Sequence, residues 1–266
     1  MNFRDIGTGT PLLVLHGGKL DHRHMVDALE PSFERQSEWR RLYLDLPGHG
    51  LSDASETVST QDDVLDILIE FTEKILPDQR FAVIGESRGS YLARGITHKK
   101  PTEVCGMMLI VPGDFGTESA KHLPPHQTMV TADDLRSDLA PEEIARFDRL
   151  VIQNAEILDK IRRTKIPASA LHDTAMEARI NDHFEFSFDL GTPQTTFTDP
   201  CLILSGRQDA IAGYRDAIEM LAHYPRASFA LLDHAGHSLA WEQPELFHAL
   251  MKDWLKRVQY GLDAEK

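Results

Sequence analysis

The sequence contains little cysteine and no long hydrophobic segment, and these absences exclude several classes of protein. It has two cysteines, Cys105 and Cys201, each leading into an apolar run. This excludes a disulfide-stapled secreted domain and indicates a reducing compartment. No uncharged run approaches the roughly 20 residues that a membrane helix requires, and no basic segment followed by an apolar stretch opens the chain as in a signal peptide. We therefore expect a cytoplasmic protein.

Positive charge is also scarce. The 28 Lys and Arg residues are outnumbered by 42 Asp and Glu, and the net charge of −14 makes nucleic acids and anionic membranes poor partners. No spacing of zinc ligands occurs, so we expect no metal. The 266 residues suffice for one large α/β domain with an insertion. A small-molecule substrate is the expected partner, and a homo-oligomer is left open.

The most informative segment is the Gly-Glu-Ser-Arg-Gly sequence at 85–89. It follows an apolar, strand-like run at 81–84 and precedes a helix-like segment at 90–98. A Gly-x-Ser-x-Gly sequence between a strand and a helix is typical of a nucleophile elbow. The two small residues let the strand and the helix approach, and the turn lifts the serine hydroxyl above the sheet. The pattern predicts Ser87 as a nucleophile, which needs an adjacent base.

Three further strand-like runs end in residues that suit such a reaction. A His-Gly-Gly sequence at 16–18 ends the first, where glycine amides can face a developing oxyanion. A carboxylate, Asp209, follows the second run, and the third leads into the loop that carries His234 and His237. In chain order these segments supply oxyanion donors, Ser87, an acid and a histidine.

These segments and their order resemble the α/β-hydrolase superfamily, in its capped, lipase- or esterase-like branch. The resemblance extends over nearly the whole chain and includes His-Gly-Gly at 16–18, Asp-Leu-Pro-Gly-His-Gly-Leu-Ser-Asp at 45–53, the elbow at 85–89, Gly-Arg-Gln-Asp at 206–209, Ala-Gly-His at 235–237 and Glu-Gln-Pro at 242–244. It implies a serine hydrolase that needs no cofactor.

Strand-like runs that alternate with helix-like segments predict an α/β fold with a mostly parallel sheet and helices on both faces. The runs lie near 11–16, 41–45, 81–86, 106–111, 200–205 and 227–232. The hairpin that usually precedes the first of them is abbreviated or absent. The alternation stops between about 113 and 198, so we predict a helical cap at 113–198 on an α/β-hydrolase core of 1–112 and 199–266. Such a cap excludes water and shapes the pocket.

The resemblance implies a catalytic triad of Ser87, His237 and Asp209, in which the acid orients the imidazole and stabilises its cation. It selects His237 over the nearby His234, because the family pattern is Gly-His followed by Glu and Pro. It favours Asp209 because the loop before it matches the family. Asp114 is the alternative acid, since it also follows a strand and some relatives place the acid there.

The resemblance further assigns the oxyanion hole to the backbone amides of Gly18 and Arg88. Glu86 and Arg88 flank the nucleophile where relatives often carry other residue types, and the sequence leaves open whether they pair with each other or with neighbours. An unpaired Arg88 would bind a carboxylate near the scissile bond, with Lys19 adding positive charge at the rim. Other histidines, His24 among them, are expected to be surface or packing residues.

The predicted reaction is hydrolysis of a small ester, lactone or thioester through an acyl-enzyme intermediate. The same triad could instead cleave a carbon–carbon bond or an amide, or carry out perhydrolysis. A non-hydrolytic ligand-binding sensor also remains an alternative, because some members of the superfamily keep the triad for that purpose. Dehalogenase chemistry is disfavoured, since it uses a carboxylate where Ser87 stands.

Overall fold

A computed structural model describes residues 1–34, 38–113, 123–191 and 196–264. Within these ranges seven strands form one sheet in the spatial order β1-β3-β2-β4-β5-β6-β7, in which only the edge strand β1 runs antiparallel to its neighbour. The strands are β1 (Phe3–Ile6), β2 (Thr10–Leu15), β3 (Trp39–Leu44), β4 (Phe81–Glu86), β5 (Val104–Ile110), β6 (Cys201–Gly206) and β7 (Ala227–Leu232). The predicted fold class is confirmed.

The edge strand β1 has four residues and precedes β2 at the place where the family's usual hairpin was predicted to be abbreviated or absent. It pairs with β3 from Phe3 opposite Leu44 to Ile6 opposite Arg41. Its two central residues are exposed, so it carries no continuous apolar run. For that reason the sequence pattern did not predict this strand.

Helices cover both faces of the sheet. They are α1 (His22–Leu29), α2 (Gln61–Ile75), α3 (Arg88–Lys99), α4 (Asp133–Arg136), α5 (Pro141–Phe147), α6 (Ala155–Lys160), α7 (Ile166–Ser169), α8 (Thr174–Asn181), α9 (Arg215–Glu219), α10 (Leu239–Glu242) and α11 (Pro244–Ala264). Short 3₁₀ turns follow α1 and α9 at Glu30–Ser32 and Met220–Ala222, and a π-helical turn, Ile161–Lys165, joins α6 to α7. Among the described helices, none has both the length and the apolar character needed to cross a membrane.

The alternation of side chains along each strand builds two hydrophobic cores, one on each face of the sheet. On one face Leu13 and Val83 pack with Leu68 of α2 and Ile96 of α3. On the other face the neighbouring strand residues pack with α1, α10 and α11, and the largest buried side chains there are Trp39 of β3 and Trp254 of α11. Both faces of the central strands are therefore covered, as the continuous apolar runs predicted.

The segment between β5 and β6 contains the helices α4 to α8 in its described part, 123–191, and an isolated bridge pairs Val130 with Ile152. It has a hydrophobic cluster of its own, which includes Phe147 and Ile161, and Trp241 of α10 packs into that cluster. This helical segment covers the carboxyl ends of the strands, where it borders the cavity described below. The exact limits of the cap, 113–198, stay a prediction.

Candidate active site

Ser87 occupies the sharp turn between β4 and α3. Its backbone has φ +52° and ψ −118°, a conformation that costs energy for a residue with a side chain. The turn is tight because a Cβ at Gly85 would collide with the carbonyl of Gly89, and a Cβ at Gly89 would collide with the carbonyl of Leu15. Ser90 Oγ donates to the Gly85 carbonyl at 2.7 Å and holds the turn closed.

The structure brings the three predicted triad side chains into one chain of hydrogen bonds. His237 Nε2 lies 3.0 Å from Ser87 Oγ, and His237 Nδ1 lies 2.9 Å from Asp209 Oδ2. Asp209 is fully buried, and its Oδ1 accepts from the amides of Ile211 at 2.9 Å and Ala212 at 3.0 Å. Because a carboxylate only accepts, Nδ1 carries the proton and Nε2 is left to accept the serine proton.

The electrostatics of the imidazole suit a general base that works near neutral pH. Burial alone would lower the pKa of His237, but the charge and hydrogen bond of Asp209, with the charge of Glu86, raise it above its ordinary value. His237 is therefore a stronger base than a free imidazole.

The loop that carries His237 is fixed by a buried carboxylate from α10. Glu242 Oε2 accepts from the amide of Gly236 at 2.6 Å, and its Oε1 accepts from the amide of Val151 at 2.7 Å. Glu242 thus holds the histidine loop and the helical segment together. The Glu-Gln-Pro sequence contributed to the family resemblance, but the sequence analysis gave Glu242 no role.

His234 and Asp114 are the alternatives to His237 and Asp209 that the sequence offered. His234 is half-buried, has φ +54° and bonds to Asp233 at 3.0 Å, so the structure places it outside the chain of hydrogen bonds at Ser87. Asp114 lies outside the described residues.

The amides predicted to form the oxyanion hole, those of Gly18 and Arg88, belong to residues that line the cavity at Ser87. Neither amide has an acceptor within the described ranges. The loop before Gly18 is held by His16, whose Nδ1 donates to the Gly17 carbonyl at 2.7 Å and whose Nε2 accepts from the Leu46 amide at 3.0 Å. Burial lowers the pKa of His16 to about 4, so the ring stays neutral and can do both.

Glu86 and Arg88 pair with different neighbours and not with each other. Glu86 Oε2 lies 2.7 Å from Nε2 of His24, and both side chains are almost completely buried. Burial would raise the pKa of Glu86, but the charge and hydrogen bond of His24 lower it to about 2. His24, expected to be a surface or packing residue, comes from α1 and forms a hydrogen bond with a buried carboxylate next to the nucleophile, while burial lowers the pKa of its imidazole. Periodicity gives no signal for such a long-range pair.

The guanidinium of Arg88 is buried, with 6% of the residue exposed, and forms no ion pair with a described carboxylate. Its Nη2 donates to Gln61 Oε1 at 3.2 Å, its Nε has no acceptor among the described residues, and its Cζ lies 5.5 Å from the ring centre of Phe184. Burial, opposed by the charge of Glu177, lowers the pKa of Arg88 to about 10, so the group stays charged at neutral pH.

Lys19 differs from Arg88. Its side chain is 55% exposed at the rim of the cavity, and its Nζ lies 3.6 Å from Glu177 Oε2. The carboxylate offsets the positive charge that the sequence analysis expected there. The backbone of Lys19 has φ +59°, and its amide donates to His49 Nε2 at 3.3 Å, so its main chain supports the oxyanion loop.

A cavity of about 510 Å³ contains Ser87 and His237 in its wall and is closed on the other side by α5, α8 and the π-helical turn. Among its described lining residues, five are cations: Lys19, Arg88, Arg146, Arg149 and Lys165. Three are carboxylates: Glu86, Glu142 and Glu177. The cavity is therefore positive inside a chain of net charge −14, and this contrast favours an anionic ligand.

Outside this cavity, the described residues include a group of potential metal ligands at Asp21, His22 and Asp45. Asp21 binds the guanidinium of Arg23, and Asp45 accepts from Asn2 Nδ2 at 2.7 Å and from two backbone amides in addition to the ring of His22. The carboxylates are already engaged by protein donors, so we assign no metal to this group.

A family model described as serine aminopeptidase, S33, matches residues 10–244 of the chain. The chain belongs to this family. Among curated proteins it is similar to a 2-hydroxy-6-oxononadienedioate/2-hydroxy-6-oxononatrienedioate hydrolase of Pseudomonas putida, at 22% identity over 96% of this chain and 91% of that protein. It is also similar to a pimeloyl-[acyl-carrier protein] methyl ester esterase of Nitrosomonas europaea, at 26% identity over 91% of this chain and 94% of that protein.

Among solved structures, an α/β superfamily hydrolase from Oenococcus oeni superposes with a TM-score of 0.86 at 29% identity, over 97% of this chain and 96% of that one. These findings confirm the α/β-hydrolase fold and the serine hydrolase class that the motifs predicted.

Proposed function

We propose that the chain hydrolyses a small ester, lactone or thioester that carries an anionic group, and that Ser87 is the nucleophile. The observation that carries the proposal is the chain of hydrogen bonds from Ser87 Oγ through His237 to Asp209 at 3.0 and 2.9 Å. It stands at a cavity lined by Gly18 and Arg88, whose amides have no acceptor among the residues that the structure describes. No cofactor takes part in this chemistry.

The geometry supports a two-step reaction. Ser87 Oγ attacks the carbonyl carbon while His237 Nε2 accepts its proton, and the oxyanion receives hydrogen bonds from the amides of Gly18 and Arg88. His237 then gives the proton to the leaving group, and an acyl-enzyme remains. Water, deprotonated by the same imidazole, attacks the acyl carbon, and the acid leaves. Asp209 keeps the imidazole oriented and stabilises its cation in both steps.

The nucleophile can be tested with a fluorophosphonate probe. We expect the probe to label Ser87, and Ser87→Ala to lose both labelling and ester hydrolysis, because no other described hydroxyl lies beside His237 Nε2. Ser169→Ala is the matched control, since Ser169 lines the same cavity but bonds to the carbonyls of Lys165 and Ile166. Mass spectrometry of the labelled protein would identify the site. Full activity in Ser87→Ala would overturn the mechanism.

The anionic group of the substrate is assigned to Arg88. Its buried guanidinium borders the cavity next to Ser87 and has no carboxylate partner in the described part of the chain. A planar guanidinium binds a carboxylate through two parallel hydrogen bonds. The competing interpretation, that Arg88 only packs on Gln61 and Phe184, predicts no preference for charged substrates.

We expect Arg88→Leu to weaken hydrolysis of dicarboxylate half-esters by about 1.5–3 kcal/mol in kcat/KM, the contribution of a charged hydrogen bond, and to leave neutral esters nearly unchanged. The amide of residue 88 remains in the variant, so the oxyanion hole is retained. Lys19→Met is the control, because that side chain is exposed and already paired with Glu177. Equal losses on charged and neutral esters would leave Arg88 with a structural role.

Carbon–carbon bond hydrolysis is the second candidate, supported by the similarity to the 2-hydroxy-6-oxononadienedioate/2-hydroxy-6-oxononatrienedioate hydrolase of Pseudomonas putida. Comparing turnover of p-nitrophenyl esters of graded acyl length with turnover of 2-hydroxy-6-oxononadienedioate, which the relative's name specifies, would separate the two candidates. We also propose a cytoplasmic site of action and a small-molecule partner rather than nucleic acid or membrane, supported by two buried free cysteines and the net charge. Burial raises the pKa of the Cys201 thiol to about 12, so this cysteine is inert. A homo-oligomer stays open.

A further inference from the structure

Lys165 is a buried cation in the cavity wall with unfilled hydrogen-bonding capacity. It ends the π-helical turn, a feature often found at functional sites, and only 9% of the residue is exposed. Its Nζ donates to Ser238 Oγ at 3.1 Å and lies 4.5 Å from the ring centre of Trp241. An ammonium group has three N–H donors, so two of them have no acceptor among the described residues.

The two carboxylates whose charges act on Lys165 form their hydrogen bonds with other groups. Glu86 and Glu242 both act on its pKa, but neither forms an ion pair with it. Glu86 is bound by the ring of His24 at 2.7 Å, and Glu242 accepts from the amide of Gly236 at 2.6 Å. Burial lowers the pKa of Lys165, because a buried charge without a contacting counter-ion is unfavourable, and an anion bound beside the amine would stabilise its charged form. The arrangement therefore favours an anion supplied from outside the chain.

A second cation faces the same part of the cavity. Arg146 of α5 is half-buried, lines the cavity and forms no ion pair with a described residue. Its charge, added to burial, lowers the pKa of Lys165. Two cations that repel each other across a cavity are both relieved when one anion binds between them.

Lys165 lies on the side of Ser87 where the leaving group is expected. Its bonding partner Ser238 directly follows His237 in the chain, so Lys165 stands on the imidazole side of Ser87. The leaving group lies on that side, because His237 must hand it a proton.

We propose that Lys165, together with Arg146, forms a subsite for a carboxylate on the leaving portion of the substrate. This inference rests on the proposed serine hydrolase function and deepens it. With Arg88 beside the nucleophile, the substrate class becomes a small carboxylic ester with a negative group on each side of the scissile bond.

Two aryl esters that differ in charge and hardly in shape provide the test. 4-Carboxyphenyl acetate and 4-carbamoylphenyl acetate release similar phenols, but only the first leaving group is anionic. We expect kcat/KM of the unmodified protein to favour the carboxylate about tenfold or more, in keeping with a charged hydrogen bond. Equal rates, or a faster carbamoyl ester, would overturn the subsite.

Lys165→Met keeps most of the aliphatic stem and removes the charge. We expect Lys165→Met to lose the preference in kcat/KM for 4-carboxyphenyl acetate over the carbamoyl ester, and Lys165→Arg to keep that preference. Equal losses on both esters would make Lys165 a structural partner of Ser238 and Trp241 and would overturn the proposal.

Folding of the variant is checked by the rate of fluorophosphonate labelling at Ser87. If Lys165→Met does not fold, Arg146→Met replaces it and must reduce the same preference; an unchanged preference there would count against the subsite. Failure of the proposed function has a separate signature, which is turnover that persists in Ser87→Ala. A labelled Ser87 with no charge preference would overturn the subsite alone.

Discussion

At the scale of single residues, the site depends on charges that the fold holds in fixed states. Asp209 raises the pKa of His237. Burial lowers the pKa of His16 to about 4 and that of His49 to about 3. The imidazole beside the nucleophile is therefore basic, and the two imidazoles that support the oxyanion loop stay neutral. One residue type performs two different tasks because the neighbouring groups differ.

This difference leads to a prediction about pH. His237 must be neutral to accept the proton of Ser87, so kcat/KM falls as the pH decreases through the pKa of His237, which lies above its ordinary value of 6.5. Asp209→Asn removes the charge that raises this pKa. We expect the acid limb of the pH profile to move to lower pH and turnover to fall by a factor on the order of 10⁴, as for the comparable change in a serine protease.

Two controls accompany that profile. Asp233→Asn alters an exposed carboxylate that bonds to His234, and it should leave the profile unchanged. Asp114→Asn should also be harmless if Asp209 is the acid. A crippling effect of Asp114→Asn, with a nearly normal Asp209→Asn, would move the acid to the earlier strand.

At the scale of elements, the sequence predicted what depends on local pattern. The apolar runs predicted six strands, and the elbow followed from two glycines whose Cβ atoms would collide with backbone carbonyls of Gly89 and Leu15. The residues that make such contacts possible lie within the motif itself, so the local sequence predicts them. The short β1 was missed because its pairing with β3 stabilises it, and its own residues show no apolar run.

Partners distant in sequence were also beyond prediction. The bond between His24 and Glu86 joins residues 62 positions apart, and the bond between Glu242 and the Val151 amide joins residues 91 positions apart. Each forms only when separate elements pack, so no spacing in the sequence signals it. The triad could be predicted because the family's order of motifs relates Ser87, Asp209 and His237, which the spacing of residues alone does not do.

At the scale of the whole molecule, the buried side chain of Glu242 joins the catalytic loop to the helical segment over the cavity. Glu242 accepts from the amide of Gly236, next to His237, and from the amide of Val151 in the segment between β5 and β6. Burial raises the pKa of Glu242, and the backbone donors oppose the shift. The position of the imidazole therefore depends on how the two parts of the chain pack.

Glu242→Ala leaves two buried amides without an acceptor, and each such loss costs about 1–3 kcal/mol. We expect the free energy of unfolding to fall by about 2–6 kcal/mol, measured by urea denaturation. Turnover of esters should also be slower at temperatures where the variant is still folded, because the histidine loop loses its anchor. Glu245→Ala is the matched control, since Glu245 is exposed in the first turn of α11. If Glu242→Ala lowered stability but left kcat and the rate of Ser87 labelling unchanged, the His237 loop would keep its position without the hydrogen bonds of Glu242. Glu242 would then contribute to stability alone.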